Sequence, residues 1–103
     1  MTTSIYHPFR NQELALRIAK YGSQLSGDWV FLAGGTDGRD GPTEAAGGIV
    51  DKSTWHKITQ KGQDPSALLE ENDSNAALAL ADALLVIGAT GTNVADISIM
   101  VRR

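Results

Sequence analysis

Trp29-Val30-Phe31-Leu32-Ala33 is a short apolar run that passes directly into Gly34-Gly35-Thr36-Asp37-Gly38-Arg39-Asp40-Gly41-Pro42-Thr43. Aromatic and β-branched residues bounded by glycines are typical of a strand, and an unbroken apolar run favours one buried on both faces, as in a parallel sheet. In open α/β sheets, ligands bind at the carboxyl ends of the strands. The run therefore predicts a buried strand that ends at a ligand-binding loop.

The loop is richer in glycine and in polar side chains than a simple connection requires. Six of the eleven glycines lie between Gly34 and Gly48, and glycine lets the backbone approach a ligand closely. Successive backbone N–H groups in such a loop can bind an anion. The alternative is a tight loop whose carboxylates cap its own backbone N–H groups. We favour the ligand site, because the loop begins where a strand ends.

A second apolar run, Leu84-Leu85-Val86-Ile87, also passes into a polar loop, Gly88-Ala89-Thr90-Gly91-Thr92-Asn93. Backbone N–H, hydroxyl and amide donors in this loop suit a phosphate or a carboxylate. The loop lacks the Gly-Lys-Ser/Thr ending of a P-loop and the dinucleotide-binding fingerprint. It is a weak signal alone and gains weight because it shares a strand-end position with the first loop.

Helical patterns surround the two strands. Leu14, Ile18 and Tyr21 recur at helical spacing and predict a first helix that ends near Ser26-Gly27. A short helix is predicted from Thr43 to Ala46. Three further helices are predicted over residues 54–61, 66–71 and 75–83, with N-caps at Ser53, at Asp64, and at Asp73 or Ser74.

Alternating apolar residues over 96–101 predict a terminal edge strand. Together with the two buried strands and the helices, this predicts an α/β fold. We expect a small three-layer domain with a mostly parallel sheet, glycine-rich loops at the strand ends and a C-terminal edge strand.

Composition excludes several classes of function. The 103 residues fit one domain, and a net charge of -3 without a basic stripe argues against general nucleic-acid binding. The chain has no cysteine, which excludes disulfides and thiolate metal sites, and its two histidines, His7 and His56, are far apart. A His-rich metal site therefore cannot be assembled without carboxylates. The first residues do not resemble a signal peptide, and no apolar run approaches the roughly 20 residues of a membrane span. We therefore expect a soluble cytoplasmic protein.

The first predicted helix begins with Arg10-Asn11-Gln12-Glu13, and these residues allow two interpretations. Arginine can grip a carboxylate or phosphate in a bidentate manner, and a helix N-terminus favours anions. Asn11 as N-cap and Glu13 in the first turn are equally good helix-start chemistry. The residues alone leave ligand binding and helix capping open.

These segments occur together, in this order, in a known family. The segments are Arg10-Asn11-Gln12-Glu13-Leu14-Ala15-Leu16, Gly35-Thr36-Asp37-Gly38-Arg39-Asp40-Gly41-Pro42-Thr43-Glu44-Ala45-Ala46-Gly47, Asn72-Asp73-Ser74 and Thr90-Gly91-Thr92-Asn93-Val94-Ala95-Asp96. The chain resembles the MOFRL domain, which is the C-terminal domain of glycerate 2-kinases, often called hydroxypyruvate reductases. The resemblance covers about residues 10–101. It predicts an irregular lead-in over 1–9 and one MOFRL-like domain over 10–103.

The resemblance implies a part of an enzyme. In the family, a larger N-terminal α/β domain precedes this one, and the active site lies in the cleft between the two. The implied reaction is ATP-dependent, Mg²⁺-assisted phosphorylation of the 2-hydroxyl of D-glycerate. ATP and Mg²⁺ would belong to the complete enzyme, and none is expected on the isolated domain, which would be inactive alone. The reductase label implies hydride transfer from a nicotinamide, for which the chain shows no fingerprint.

Roles carry over from the family's motifs to the matching positions. Arg10 would clamp the substrate carboxylate or stabilise the transferring phosphoryl group. Asp37 would orient the glycerate hydroxyl or hold the metal, and Asp40 would support the loop or hold the metal through water. The substrate-binding residues implied by the resemblance are Asn11, Glu13, Thr36, Gly38, Asp40, Thr43, Thr90 and Asn93.

The lead-in departs from the family's pattern. Family members place glycines before the Arg-Asn-Gln-Glu run, whereas Pro8-Phe9 stands here and puts the role of Arg10 in doubt. Two other readings therefore stay open: a stand-alone small-anion-binding module, and a structural remnant without catalysis. A domain without its partner would expose apolar surface, so we also expect a homo-oligomer, in the form of a dimer.

Overall fold

The computed structural model describes residues 11–35, 46–70, 73–86 and 96–102. Four helices and four strands lie in these ranges. In chain order they are α1 (Asn11–Gly22), β1 (Trp29–Gly35), β2 (Gly47–Asp51), α2 (Thr54–Gln60), α3 (Pro65–Glu70), α4 (Ser74–Leu80), β3 (Leu84–Leu85) and β4 (Asp96–Arg102). In the part of the chain that the structure describes, no helix is both long and apolar enough to cross a membrane.

The four strands form one antiparallel sheet in the order β3-β2-β1-β4. The small α/β class is confirmed, and the mostly parallel sheet is wrong. A parallel pair would need a crossover between β1 and β2, but Gly34 pairs directly with Gly47 in an antiparallel ladder. The C-terminal edge strand is confirmed, because β4 is the last strand of the described order and pairs with β1 over its whole length.

The prediction that β1 is buried on both faces is also wrong. Trp29, Phe31 and Ala33 are buried on one face, whereas Val30 on the other face is exposed. An apolar run does not reveal whether a second layer covers both faces of a strand, since that depends on the rest of the molecule. Among the described residues the domain therefore has two layers, a sheet and a helical layer, rather than three.

The core lies between the sheet and the helices. Leu16, Ile58, Leu78 and Val50 are its largest fully buried apolar side chains. Gly48 allows the layers to approach closely, because a Cβ there would lie 2.8 Å from the Ala15 Cβ and 3.0 Å from the Leu78 Cδ1. Helix α1 and helix α4 therefore both pack against β2 at Gly48.

The helices confirm most of the predicted starts. Asp64 Oδ1 accepts a hydrogen bond from the Ser66 N–H at 3.0 Å, so Asp64 caps α3. Ser53 and Asp73 occupy the N-cap positions of α2 and α4 without a side-chain cap bond. Helix α1 ends at Gly22, several residues before the predicted stop. Of the short helix predicted over 43–46, residues 43–45 lie outside the described residues, and the structure gives Ala46 no regular secondary structure.

Candidate functional site

The two predicted ligand loops leave and re-enter the described structure at one end of the sheet, which we call the loop end. The Gly35 N–H donates to the Ala46 carbonyl oxygen at 3.0 Å, and the Ala46 N–H donates to the Leu85 carbonyl oxygen at 2.7 Å. Gly35 also pairs with Asp96 at the start of β4. Gly35 and Ala46 border segment 36–45, and Leu85 and Asp96 lie within two residues of segment 87–95, so both segments are anchored at one hydrogen-bonded set of strand ends.

This convergence holds although the sheet is antiparallel. Strand β2 lies between β1 and β3 and is antiparallel to both, so β1 and β3 run in the same direction. Both strands consequently end at the loop end. The prediction that both loops follow strands ending at the same edge of the sheet is confirmed for those strands, β1 and β3.

The beginning of helix α1 also lies towards the loop end. The other end of α1 is fixed at the far end of the sheet, where the Trp29 Nε1–H donates to the Gly22 carbonyl oxygen at 2.9 Å. Ala15, one turn after the start of α1, packs at Gly48, one residue into β2. A 12-residue helix that runs this way brings its N-terminal N–H groups to the same side as the strand ends. Such N–H groups favour an anionic ligand.

Two amide side chains at the beginning of α1 are buried. Asn11 is 2% exposed and Gln12 is 4% exposed, which is unusual for amides unless they are hydrogen-bonded. The Asn75 Nδ2 donates to the Gln12 Oε1 at 2.8 Å, across 63 positions of sequence. This bond ties the first turn of α1 to the first turn of α4.

The first turns of the two helices thus form a polar cluster beside the loop end, made of Asn11, Gln12, Ser74 and Asn75. Ser74 is buried, and its Oγ has no hydrogen-bond partner among the atoms that the structure describes. Ala15 and Leu78, each one turn further along its helix, share the space above Gly48, so α1 and α4 run side by side in the same direction. Within the cluster, the Gln12–Asn75 hydrogen bond joins the two helix starts.

Glu13 makes a helix ion pair. Its Oε2 accepts a hydrogen bond from the Arg17 Nε and lies 3.0 Å from the Arg17 Nη2, four residues further along α1. This geometry stabilises the first turns of the helix. The helix-start reading of Glu13 therefore has a partner in the structure, and its substrate role stays a prediction.

The remaining predicted site residues lie outside the described residues. They are Arg10, Thr36, Asp37, Gly38, Asp40, Thr43, Thr90 and Asn93. The lead-in over 1–9 and the Pro8-Phe9 departure lie outside them as well. Of the predicted set, the structure describes Asn11, which is the first residue of α1, and Glu13.

Sequence reasoning did not assign Gln12 and Asn75. Gln12 precedes Ala15, Leu16 and Ala19 by three, four and seven positions, and all three are buried. That spacing puts Gln12 on the core-facing side of α1. A polar residue on an apolar stripe needs a partner, and this signal could have pointed to Gln12 from the sequence.

At the far end of the sheet, Asp51 lies at the centre of a separate set of polar contacts. Burial raises the pKa of Asp51, but hydrogen bonds from the Ser53 hydroxyl and N–H, the charge of Lys57 and the Thr54 hydroxyl together outweigh burial and lower the pKa below its usual 3.8. The Asp51 Oδ1 accepts from the Ser53 N–H at 2.9 Å and from the Ser53 Oγ at 2.7 Å. These contacts fix the turn between β2 and α2, so Asp51 has a structural role. The described ranges hold no group of three or more His, Cys, Asp or Glu residues that could bind a metal.

An α/β domain with two loops anchored at one end of its sheet, and two helices that start beside them, is the class of protein to which this chain belongs. The chain belongs to the MOFRL family, whose sequence pattern matches residues 9–96. The resemblance described from the motifs is confirmed.

Relatives within this family are glycerate kinases. The chain is 51% identical over 90 residues to D-glycerate 2-kinase of Thermotoga maritima, a match that covers 87% of this chain and 21% of the relative. It is 46% identical over 91 residues to glycerate 2-kinase of Pyrococcus horikoshii, covering 88% of this chain and 20% of that protein. The human glycerate kinase is 42% identical over 103 residues, with 91% of this chain and 19% of the relative covered.

A crystal structure of the Thermotoga maritima glycerate kinase superposes with a TM-score of 0.86 at 48% identity, over 90% of this chain and 22% of that chain. The chain thus spans about a fifth of the length of the relatives it matches.

Proposed function

We propose that this chain acts as the C-terminal MOFRL domain of a glycerate 2-kinase and supplies substrate-binding loops to the ATP-dependent phosphorylation of D-glycerate. The observation that carries the proposal is the loop end, where the strand ends flanking both loops are hydrogen-bonded to one another and the start of α1 lies alongside. The relatives' names supply the substrate class. The chain by itself carries half of the site and is inactive alone.

Arg10 and Asp37 are the residues to which we assign the chemistry. Arg10 precedes the first residue of α1, where a guanidinium can bind a carboxylate or the transferring phosphoryl group. Asp37 follows the end of β1 by two positions, where it can orient the reacting hydroxyl. We assign supporting contacts with substrate oxygens to Asn11, Glu13, Thr36, Gly38, Asp40, Thr43, Thr90 and Asn93.

ATP and Mg²⁺ belong to the proposed reaction of the complete enzyme. Phosphoryl transfer depends on positioning and on electrostatic stabilisation of the transferring group. Among the described residues, no group of three or more His, Cys, Asp or Glu residues could hold a metal ion. The contribution that we assign to this chain is to bind and orient glycerate.

The test places this chain behind the N-terminal four-fifths of the Thermotoga maritima enzyme, in place of that enzyme's matching fifth. We expect the fused protein to phosphorylate D-glycerate, and Arg10→Ala and Asp37→Asn to lower kcat/KM by roughly a hundredfold or more. Matched controls at exposed positions away from the loop end, Lys61→Ala and Asp28→Asn, should leave the rate unchanged. Equal rates for the site variants and their controls would contradict the assigned roles.

Calorimetry on the isolated chain distinguishes a kinase domain from the alternative, a stand-alone small-anion-binding module. Binding of glycerate to the isolated chain, lost in Asp37→Asn, would favour that module, particularly if the fused protein does not phosphorylate glycerate. If the isolated chain binds no glycerate but the fused protein phosphorylates it, the result supports the proposed role as a domain of a glycerate kinase.

We also propose that the purified chain self-associates, since large apolar side chains such as Val101 and Ile99 are exposed. Sedimentation equilibrium measures this directly. A monomer at all concentrations would contradict it.

A further inference from the structure

Among the described residues, the helices leave one face of the sheet uncovered, which we call the open face. Paired residues of neighbouring strands point to the same side of a sheet. Val30 and Leu32 point away from the helices; Val101 is paired with Val30, and Ile49 and Ile99 with Leu32. The open face is thus built from three adjacent strands.

The open face is apolar and exposed. Val30, Ile49, Ile99 and Val101 are between 40% and 59% exposed. Among its positions on β1, β2 and β4, Asp51 is the one charged residue, and its carboxylate is engaged by Ser53 at the far end. A contiguous apolar surface of this kind is a contact surface for another layer of protein.

The helical layer contacts the opposite side of the sheet. Phe31, Ala33 and Val50 point to that side and belong to the same buried cluster as Leu16 and Leu78. An antiparallel sheet commonly packs one face against helices and turns polar side chains to water on the other. Here the second face is apolar instead, and the described part of the chain supplies a helical layer on the opposite face alone.

We propose that the open face is the docking surface for the polypeptide that precedes this domain in a complete glycerate kinase. This inference rests on the proposed function. The relatives are about five times as long as the matched region, and in the crystal structure of one of them the matched fold accounts for 22% of the chain. The rest of such a chain is large enough to cover the open face, since interfaces between domains bury about 600–1,500 Å².

The position of the open face relative to the loop end supports this occupant. Leu85 lies over Gly34 on this face, because a Cβ on Gly34 would lie 2.8 Å from the Leu85 Cδ2. Gly34 and Leu85 are also at the strand ends that carry the two loops. A domain docked on the open face therefore reaches the edge from which the loops start, and it can supply the other wall of the site.

The chain contains no cysteine, so single introduced thiols report on one position each. We would prepare Ile99→Cys on the open face and Gln60→Cys on exposed helix α2 as the matched control. Each is placed in the isolated chain and in the fused protein that carries the N-terminal four-fifths of the Thermotoga maritima enzyme. The rate of thiol modification is measured at low protein concentration, where the isolated chain is least associated.

We expect the Ile99→Cys thiol to react at least about tenfold more slowly in the fused protein than in the isolated chain, and the Gln60→Cys thiol to react equally in both. Equal rates for Ile99→Cys in the two proteins would overturn the proposal. Protection that rises with concentration in both proteins would assign the face to a second copy and would also overturn it. Titrating the labelled isolated chain with the separately produced N-terminal portion is a second measurement, with the same expected protection at Ile99→Cys.

Glycerate phosphorylation by the same fused protein separates this inference from the proposed function. Protection of Ile99→Cys without phosphorylation supports docking and contradicts the kinase role. Phosphorylation without protection supports the kinase role and overturns docking on this face.

Discussion

The two ends of the sheet are held by different kinds of contact. At the far end, Trp29 packs on Gly22 and donates to its carbonyl oxygen, and Asp51 closes the turn into α2. At the loop end, backbone bonds join the strand ends, and the helix starts are joined by the Gln12–Asn75 amide bond. A buried aromatic ring and a hydrogen-bonded turn therefore secure the end without a proposed ligand, whereas backbone and amide hydrogen bonds organise the end with one. The comparison predicts that far-end substitutions chiefly lower stability, whereas loop-end substitutions affect the site.

Replacing Trp29 by Ala should have the largest effect. The ring is 2% exposed, and truncation of a buried aromatic side chain costs about 3–5 kcal/mol of unfolding free energy. Urea denaturation followed by circular dichroism measures the loss. The half-buried Trp55→Ala serves as the matched control and should lose less. A loss of unfolding free energy below about 1 kcal/mol for Trp29→Ala would contradict the proposal that Trp29 secures the far end of the sheet.

Replacing Asn75 by Ala should have an intermediate effect on stability and a specific effect on the site. It removes a donor to the buried Gln12 Oε1, and the loss of a buried hydrogen-bond partner costs about 1–3 kcal/mol. Because the bond aligns the starts of α1 and α4, we also expect a raised KM for glycerate in the fused protein.

The neighbouring Ser74→Ala is the control for this change. Its Oγ is buried and makes no hydrogen bond with the described atoms, so its removal should leave stability unchanged or slightly raised and leave KM unchanged. If Ser74→Ala and Asn75→Ala behaved alike, the amide bond would not be what organises the loop end.

The smallest effect is the acid dependence that Asp51 contributes at the far end. Its pKa is lower in the folded chain than its usual 3.8, so the unfolded chain takes up its proton first as the pH falls. The stabilising contribution is present above pH 3.8 and is lost as the pH falls through the folded pKa. Urea midpoints should fall between pH 5 and pH 3 by more in the natural chain than in Asp51→Asn, and identical slopes would contradict this.

Local patterns predicted most of the helices and three of the four described strands, but not β2. The apolar run at 29–33, the alternation at 96–101 and the Asp64-Pro65 helix start each have a strong local cause, because periodicity, glycine boundaries and capping act over a few residues. Both polar loops were correctly assigned to strand ends. The Pro8-Phe9 departure and most of the proposed site residues lie outside the described residues, so their predicted roles await the fused enzyme.

What the sequence by itself determined is the family, most of the element types and the position of the loops at the ends of β1 and β3; the strand β2 (Gly47–Asp51) was not predicted. The direction of the strands, the open face and the Gln12–Asn75 bond were decided by tertiary structure. The physical reason is that an apolar run carries the same signal in a parallel or an antiparallel sheet and under one helical layer or two. Pairing partners that lie 63 positions apart, and the layer that covers a strand, depend on how distant segments pack.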